Sequence, residues 1–317
     1  MSKVQPFTVS AVIPLFNKEQ AVAASIRSVL AQARTPDELI IVDDGSTDRS
    51  REICEDLLSS SKPPFPWRVV PQKNAGASAA RNRGAQEAQS RFIAFLDADD
   101  EWRPGHLAEI ERLASTFPTA AFLSTHSVRV ESSGRLLSEP TILDESFFGI
   151  LERPLLTYAK SRGIFRSPSV AIRSDAWERS GGFPVGVEAS EDVFLWVKLC
   201  LTEVVAHSGK PLVVVHPEHS SQDSRNLLIG HQFAYFLGSA EGRAFLTNPD
   251  LADFLGLSFL AHIKWRRLMG HEEVQPELRR LAQALPWRWR VACQLASVAP
   301  LPALHGADKV KEWARRL

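Results

Sequence analysis

The first hundred residues of this chain alternate short apolar segments with segments of helical periodicity, and this alternation limits the available folds. Apolar, often β-branched segments occupy residues 8–13, 39–42, 68–70 and 92–96. Between them, helices are indicated by the stripe Val22, Ile26, Val29, Leu30, by the stripe Ile53, Cys54, Leu57, Leu58, and by residues 77–89. A strand-helix-strand order predicts an α/β fold with a doubly wound, mostly parallel sheet.

Segments that contain polar residues follow three of these strands directly. They are Pro14-Leu15-Phe16-Asn17, Asp43-Asp44-Gly45-Ser46 and Asp97-Ala98-Asp99-Asp100. The carboxyl ends of parallel strands lie at one edge of a sheet, and ligands bind beyond that edge. We therefore expect the acidic side chains to collect there. At the same turns, Asn17 is expected to cap the first helix, and Ser46 or Thr47 the second.

The segment FIAFLDADDEW, residues 92–102, ends an apolar strand in a cluster of carboxylates. Carboxylates this close favour a cation between them. An EF-hand is excluded, because Trp102 and Ala108 stand where its turn glycine and bidentate glutamate belong. Mg²⁺ or Mn²⁺, held by one or two carboxylates and by substrate phosphates, fits best. A solvated acidic turn is the alternative.

Composition excludes several classes of protein. Lys plus Arg number 37, as do Asp plus Glu, so the overall charge gives no reason to expect a nucleic-acid partner. Cys54, Cys200 and Cys293 lack CxxC spacing, which favours a reducing, cytoplasmic location over a disulfide framework or a zinc site. No apolar run reaches the ~18 residues of a membrane-spanning helix. Neither GxGxxG after a strand nor GxxxxGK[ST] occurs, which removes the main support for a dinucleotide or P-loop site.

Five segments resemble, in order, those of family 2 glycosyltransferases with the GT-A fold. They are VSAVIPLFNK at 9–18, IIVDDGSTD at 40–48, NAGASAARNRG at 74–84, FLDADDEW at 95–102 and EDVFLWVKL at 191–199. The resemblance covers about residues 7–220. It implies transfer of a sugar from a nucleotide diphosphate donor to an acceptor hydroxyl, with inversion at the anomeric carbon and help from Mn²⁺ or Mg²⁺. A UDP-sugar is the expected donor.

The resemblance also implies a domain organisation. A GT-A catalytic domain is expected over residues 1–221, with a nucleotide-binding half at about 7–104 and an acceptor-binding half at 105–221. Residues 222–317 are expected to form a helical C-terminal extension, because apolar periodicity recurs at 227–237 and 254–268.

The donor-binding residues implied by the resemblance are Pro14, Leu15, Phe16, Asp44, Lys73, Arg81 and Asp97. The backbone of residues 14–16 is expected to flank the base, and Asp44 to accept hydrogen bonds from it. Asp43 either serves the ribose or holds the turn. Lys73 and Arg81 meet the base edge or the diphosphate, and a solvated surface position is the alternative for both.

Metal and base roles are carried over in the same way. Asp99 is the first choice as metal ligand, Asp97 shares the metal or holds the ribose hydroxyls, and Asp100 is the substitute ligand. Asp192 is expected to take the proton of the acceptor, with Glu191 positioning the acceptor. Both residues open a predicted helix, where the helix dipole alone would also favour carboxylates.

Two further segments resemble acceptor-side and donor-side features of the family. Residues 181–184, Gly-Gly-Phe-Pro, are expected to approach the acceptor, and Phe183, Trp102 and Trp196 to offer aromatic faces to a sugar. Trp196 is also explained by a place in the core. His216, His219 and Ser220 follow a predicted strand at 212–215 and are candidates for a phosphate or metal contact.

Alternative functions and partners follow from the same residues. A nucleotidyltransferase would normally show a Gly- and Lys-rich segment after the first strand, where this chain has PLFN. A catalytically silent nucleotide-sugar-binding protein is the other alternative. The acceptor is expected to be a glycan, a glycolipid or a lipid-linked glycan precursor. The Trp-Arg-Trp-Arg segment at 287–290 suggests peripheral contact with the cytoplasmic face of a membrane, or packing on the catalytic domain or a second subunit.

Overall fold

The computed structural model describes residues 6–131, 133–139, 141–161, 163–186, 191–216, 234–268 and 282–298. Within these residues the chain forms two compact units. The first takes in the described parts of Met1–Glu152, Lys160–Gly186 and Lys198–Ser221. The second takes in the described parts of Arg153–Ala159, Val187–Val197 and Gln222–Leu317.

A ten-stranded sheet is the centre of the first unit. Its strands are β1 Val9–Leu15, β2 Glu38–Asp43, β3 Trp67–Pro71, β4 Phe92–Phe95, β5 Glu101–Trp102, β6 Ala120–Val130, β7 Leu136–Ser138, β8 Phe148–Ile150, β9 Val170–Arg173 and β10 Val204–Val215. The order is β3-β2-β1-β4-β9-β6-β10-β5, with β7 paired to β6 and β8 paired to β10. Strands β1 to β4 are mutually parallel, as are β6 and β10. The predicted α/β fold with a largely parallel central sheet is therefore confirmed, while β9 runs antiparallel to both neighbours.

The helices of the described residues lie between the strands or, for the last three, beyond β10. They are α1 Val22–Leu30, α2 Ser50–Ser61, α3 Ala77–Glu87, α4 His106–Thr116, α5 Pro154–Lys160, α6 Ser174–Ser180, α7 Glu191–Thr202, α8 Ala240–Ala244, α9 Pro249–Leu268 and α10 Trp287–Val298. Strand β2 is buried at every position, as expected for a strand covered on both faces. Helix α1 buries Val22, Ile26 and Val29 along one face.

Both predicted helix caps are wrong. Helix α1 begins at Val22 without a side-chain cap, and Asn17 lies five residues earlier with a left-handed φ of 49°. Its Oδ1 instead accepts a hydrogen bond from Thr47 N at 2.8 Å. Helix α2 begins at Ser50, whose backbone N donates to Asp48 Oδ1 at 3.0 Å. Both helices therefore start later than the motifs suggest. Asn17 joins its loop to the loop after β2, and Asp48, not Ser46 or Thr47, bonds to the first residue of α2.

Helix α3 is held tightly on the sheet by a glycine. A Cβ at Gly84 would lie 2.3 Å from Val12 Cγ1 of β1 and 3.3 Å from Val42 Cγ2 of β2. No larger residue fits without a shift of the helix or of these side chains. This close approach fixes α3 over the first strands, so that Arg81, one turn earlier, reaches the end of β4.

The second unit is built around α9 and α10. A Cβ at Gly256 would lie 2.1 Å from Trp289 Cδ2, so the glycine makes room for the buried indole. Trp289 Nε1 donates to Asp253 Oδ1 at 3.0 Å, and Asp250 accepts from the backbone N of Leu155 at 2.8 Å. The helix predicted at 254–268 is longer than expected, while that predicted at 227–237 lies mostly outside the described residues. In the part of the chain that the structure describes, no helix has both the length and the apolarity needed to cross a bilayer.

Candidate active site

Two ion pairs stand side by side at the carboxyl end of β4. Arg81 Nη2 lies 2.7 Å from Asp97 Oδ1, and Lys18 Nζ lies 2.6 Å from Asp99 Oδ2. The side chains of the two carboxylates are 24% and 11% exposed, so both remain reachable from solvent. Arg81 comes from α3 and Lys18 from the loop between β1 and α1. The end of β4 therefore collects charged groups from three segments.

The turn that carries these carboxylates is fixed by backbone contacts. Leu96 N donates to Val12 O at 2.9 Å, which continues the pairing of β1 and β4. Ser25 Oγ of α1 donates to Asp97 O at 3.0 Å. Asp100 is buried, and its Oδ1 accepts from His216 N at 3.0 Å, just beyond β10. Because Asp100 faces inward and holds the end of β10, Asp97 and Asp99 are the carboxylates of this turn that are available to a ligand.

Crowding of like charge governs the electrostatics of the turn. Burial raises the pKa of Asp99, and the neighbouring Asp97 carboxylate raises it further, against the hydrogen bond from Lys18, which lowers it. Burial, followed by the charges of Asp97 and Asp99, raises the pKa of Asp100 well above its ordinary value. The cations present thus compensate the acidic cluster only in part, and a further positive charge would be stabilised here.

The carboxylates of this turn fit a hard divalent cation. Asp97 Oδ1 and Asp99 Oδ2 are used in the ion pairs, whereas Asp97 Oδ2 and Asp99 Oδ1 take no hydrogen bond from another side chain of the described residues. Oxygen ligands of this kind suit Mg²⁺ or Mn²⁺. Among the described residues, no group of three or more His, Cys, Asp or Glu side chains could hold a metal. Ligands beyond Asp97 and Asp99 would therefore come from a bound substrate or from water.

Asp44 is buried, and its carboxylate organises the loop between β3 and α3. It accepts hydrogen bonds from Gln72 Nε2 at 2.7 Å, Ala75 N at 2.9 Å and Gly76 N at 2.8 Å. Gly76, at a φ of 89°, adopts the left-handed region that this turn requires. Of the two roles expected for Asp43, the structure shows the turn-holding one. Its Oδ1 accepts from Ser46 N at 3.0 Å.

The other residues expected to bind a donor differ in exposure. Phe16 is 44% exposed and presents an apolar ring, whereas the side chain of Leu15 is in the core and leaves only its backbone available. Pro14 is half-buried, and Lys73 is exposed in the loop before α3. Phe16 is therefore the side chain of the PLF segment that can cover one face of a flat base.

Asn82 makes a contact with the backbone of Phe183 that was not predicted from the sequence. Its Nδ2 donates to Phe183 O at 2.8 Å, and its Oδ1 accepts from Phe183 N at 2.9 Å. Arg81 lies over the ring of Phe183, with 5.2 Å between the guanidinium carbon and the ring centroid. A Cβ at Gly182 would lie only 2.7 Å from Asn82 Oδ1. The Gly-Gly-Phe loop is thus clamped to the residue next to Arg81.

The expected aromatic faces for a sugar are wrong. Phe183, Trp102 and Trp196 are all buried. Trp102 stacks on His106 at 4.7 Å between ring centroids and donates from Nε1 to Pro168 O at 2.7 Å, as a core tryptophan does. These rings pack in the core and present no face to a ligand.

The predicted base residues belong to one unit of the chain, and the predicted histidine that the structure describes belongs to the other. Glu191 and Asp192 form the first turn of α7, as expected, and Asp192 Oδ1 accepts from Val193 N at 2.7 Å. Both belong to the second unit. His216 Nε2 lies 2.9 Å from Glu101 Oε1 in the first unit. His219 and Ser220 lie outside the described residues.

Lys18 and Ser25 were also missed by the sequence analysis. Lys18 directly follows the PLFN segment. Its positive charge, at the edge of the sheet where the acidic residues collect, could have identified it as a candidate site residue. Ser25 sits on the buried face of α1, where a polar residue in an apolar stripe indicates a specific hydrogen bond. Neither signal names the partner, because the acceptors lie in the turn after β4.

Comparison with known proteins gives three results. The model of the family described as "Glycosyl transferase family 2" matches residues 10–172. An uncharacterized glycosyltransferase of Nostoc sp. is 38% identical over 112 residues, which is 35% of this chain and 33% of that protein. The putative teichuronic acid biosynthesis glycosyltransferase TuaG of Bacillus subtilis is 37% identical over 99 residues, which is 31% of this chain and 38% of TuaG. The chain thus spans about a third of the length of these relatives.

Among solved structures, the fold is similar to that of S. aureus TarS, residues 1–349, determined in complex with UDP-GlcNAc. The TM-score is 0.66, and the match covers 98% of this chain and 92% of that one. The identity is 20%, so this likeness concerns the fold.

Proposed function

The chain belongs to glycosyl transferase family 2, and from this premise we propose that it transfers a sugar from a nucleotide diphosphate donor to a hydroxyl group of a glycan acceptor. The observation that carries the proposal is the pair Asp97 and Asp99 at the end of β4, set beside Arg81 and Lys18. This is the edge of a parallel sheet where nucleotide ligands bind. The site is rich in carboxylates and in cations, which suits a metal-bound diphosphate.

A UDP-sugar is the donor that we propose. Asp44 and the loop that it holds lie at the end of β2, next to the PLF segment at the end of β1. Phe16 would cover the base, and Asp44 or the backbone of its loop would meet the base edge. Exposed Lys73, in the same loop, would approach the negative charge of the donor. The fold similarity to TarS, which was solved with UDP-GlcNAc, supports a nucleotide-sugar donor.

We propose that Asp99 and Asp97 hold Mn²⁺ or Mg²⁺ together with the donor. The metal, when bound, neutralises the charge that develops on the diphosphate leaving group. Asp99 is the favoured ligand, because its partner Lys18 has a flexible, 27% exposed side chain, whereas the guanidinium that pairs with Asp97 is 8% exposed and packed. Arg81 is held by that pair and by Phe183, and therefore presents a fixed positive charge at the site.

The proposed reaction inverts the anomeric carbon. The acceptor oxygen forms a bond to that carbon as the bond from carbon to diphosphate oxygen breaks on the opposite face. The electron pair of the broken bond leaves with the diphosphate. Asp192 takes the proton of the acceptor hydroxyl, and Glu191 positions the acceptor. Both carboxylates lie in the first turn of α7.

We propose that residues 1–221 act as the catalytic domain and residues 222–317 as an extension. The acceptor would be a surface glycan or its lipid-linked precursor. The description of TuaG as a teichuronic acid biosynthesis glycosyltransferase supports a glycan acceptor. Helix α10 exposes Trp287, Val291, Leu295 and Arg290 along one side, as a helix resting on an anionic membrane surface does. Co-sedimentation with anionic vesicles, lost on Leu295→Asp, is the check on this contact.

The test of the proposed function is calorimetric titration of the protein with UDP, GDP, dTDP and CDP, each with Mn²⁺ and with EDTA. We expect UDP to bind with Mn²⁺ and to lose most of its affinity in EDTA. A search for transfer from UDP-sugars then follows. Metal-independent binding of all four nucleotides would contradict the proposed site. Release of pyrophosphate from a nucleoside triphosphate would instead indicate a nucleotidyltransferase.

A further inference from the structure

Lys18 forms an ion pair with Asp99, the carboxylate that is proposed to bind the metal. Its Nζ lies 2.6 Å from Asp99 Oδ2, and the side chain of Lys18 is 27% exposed. A divalent cation bonded to Asp99 would lie about 2.1 Å from a carboxylate oxygen. An ammonium group and a divalent cation that share one carboxylate repel each other strongly at such distances. The metal is therefore expected to bind Asp99 more tightly when Lys18 Nζ moves away.

The Lys18 side chain is able to move while its backbone stays in place. Lys18 N donates to Ser50 Oγ at 2.7 Å. Lys18 O accepts from Ala21 N at 3.0 Å and from Val22 N at 2.9 Å, at the start of α1. The flexible four-carbon stem can swing about this anchored backbone. A shift of Nζ away from Asp99 would thus leave the fold unchanged.

Arg81 is built differently, although it also pairs with an acidic residue of the turn. Its side chain is 8% exposed, and the guanidinium lies over the ring of Phe183. A planar group packed in this way is held in one geometry. Compared with Arg81, Lys18 therefore has the side chain that can more easily leave its carboxylate.

We propose that Lys18 is an exchangeable counter-ion. It neutralises Asp99 when the donor is absent, gives up this carboxylate to the metal that binds with the donor, and then pairs with the diphosphate. Lys18 lies on the loop between β1 and α1, directly after the residues proposed to flank the base, so its side chain starts on the donor side of the site. This inference rests on the metal-assisted function proposed above.

The test is a titration of the protein with Mn²⁺ followed by electron paramagnetic resonance, without nucleotide. Lys18→Met is expected to bind Mn²⁺ several-fold more tightly than the wild type, because a competing cation has been removed. Lys18→Arg is expected to return the affinity towards the wild-type value. Lys210→Met is the matched control, since Lys210 Nζ pairs with the buried Glu109 at 3.0 Å but takes no part in the site. It should leave Mn²⁺ binding unchanged.

A second titration measures UDP binding at saturating Mn²⁺. Lys18→Met is expected to weaken it several-fold, because the released ammonium no longer meets the diphosphate. A purely structural Lys18 would give the opposite sign in the first titration, since Asp99 would lose its orienting partner and bind Mn²⁺ more weakly. Equal or weaker Mn²⁺ binding by Lys18→Met therefore overturns the exchange, while the metal-assisted function stands. Absence of Mn²⁺ binding by the wild type, with and without UDP, would overturn both.

Discussion

Arg81 Nη2 donates to Asp97 Oδ1 at 2.7 Å, joining α3 to the turn after β4. The same arginine lies over Phe183, and the next residue, Asn82, holds the Phe183 backbone at both N and O. Helix α3 therefore ties the acidic turn to the Gly-Gly-Phe loop. The two neighbouring residues on α3 set the positions of groups that are far apart in the sequence.

Asp99→Asn is expected to weaken UDP binding in Mn²⁺ by about tenfold or more, because a neutral amide replaces a charged metal ligand. UDP binding in EDTA should change far less. Calorimetry in the two conditions measures both values. Asp56→Asn, which alters an exposed carboxylate on α2, is the control and should bind UDP as the wild type does. Equal loss in EDTA and in Mn²⁺ would remove Asp99 from the metal.

Asp192→Asn is expected to lower the rate of transfer by ~10²–10⁴-fold, the usual contribution of a general base, with little change in UDP affinity. The two readouts are UDP release in the presence of acceptor and calorimetric binding of UDP. Glu191→Gln is the neighbouring comparison, and it should raise the KM for the acceptor more than it lowers kcat. Full activity of Asp192→Asn would assign the base to another group.

Asp44→Ala is expected to lower the free energy of unfolding by about 3 kcal/mol, because it removes a buried charged acceptor of three hydrogen bonds, one from Gln72 and two from backbone N–H groups. Urea unfolding provides the measurement. Asp48→Ala removes a carboxylate that serves the N-terminus of α2 near the surface, and should cost only about 1 kcal/mol. Similar values for the two variants would show that the 72–76 loop does not depend on Asp44.

Gly181 and Gly182 offer a matched pair for testing the loop clamp. Both have a left-handed φ, of 79° and 73°. A Cβ at Gly181 would meet nothing within 4 Å, whereas one at Gly182 would lie 2.7 Å from Asn82 Oδ1 and 2.9 Å from Trp177 Cζ2. Gly181→Ala should therefore cost about 1–2 kcal/mol in backbone strain alone, and Gly182→Ala distinctly more. Thermal unfolding of both variants, and of Gly182→Ala with Asn82→Ala as a partial rescue, checks this.

Stability is expected to fall as the pH falls below about 6.5, because buried histidines, among them His106 and His207, resist protonation. Burial lowers the pKa of His106 to about 3, and burial together with the neighbouring His126 lowers that of His207 to about 3. The histidines of the unfolded chain take up protons near pH 6.5, whereas those of the folded chain do not. Their contribution to the free energy of unfolding is therefore fully present above pH 6.5 and decreases as the pH falls towards about 3. The loss is about 2 kcal/mol per histidine at pH 5.

Urea unfolding of the wild type and of His207→Gln at pH 7.5, 6 and 5 tests this linkage. The variant should be less stable at pH 7.5, because Ser124 Oγ and His207 Nδ1 form a buried hydrogen bond at 2.8 Å. Its stability should also decline less between pH 7.5 and pH 5, since one titrating imidazole is gone. Parallel pH profiles for the two proteins would show that His207 is not protonated on unfolding in this range.

Local pattern accounts for most of what could be predicted from the sequence. Periodicity and the residues at strand ends predicted the strands, the order of the helices and the acidic residues after β4. Both signals depend only on neighbours along the chain. The caps predicted at Asn17 and Ser46 were wrong because a side chain can bond to any group that the fold brings near it. Asn17 Oδ1 accepts from Thr47 N and does not cap its own helix. Trp102 and Phe183 were misjudged because their burial depends on packing from other elements.

By itself, then, the sequence determined the alternation of strands and helices, the edge at which the acids collect and the family, because hydrophobic period and motif spacing are local properties. The tertiary structure alone decided which charges meet there. Lys18 and Asp99 are 81 positions apart, and Asn82 and Phe183 are 101 apart. Such pairs form only when the strands are in register and a close contact such as Gly84 on Val12 has set the helix above them. Partners that lie far apart along the chain leave no periodic signal within it.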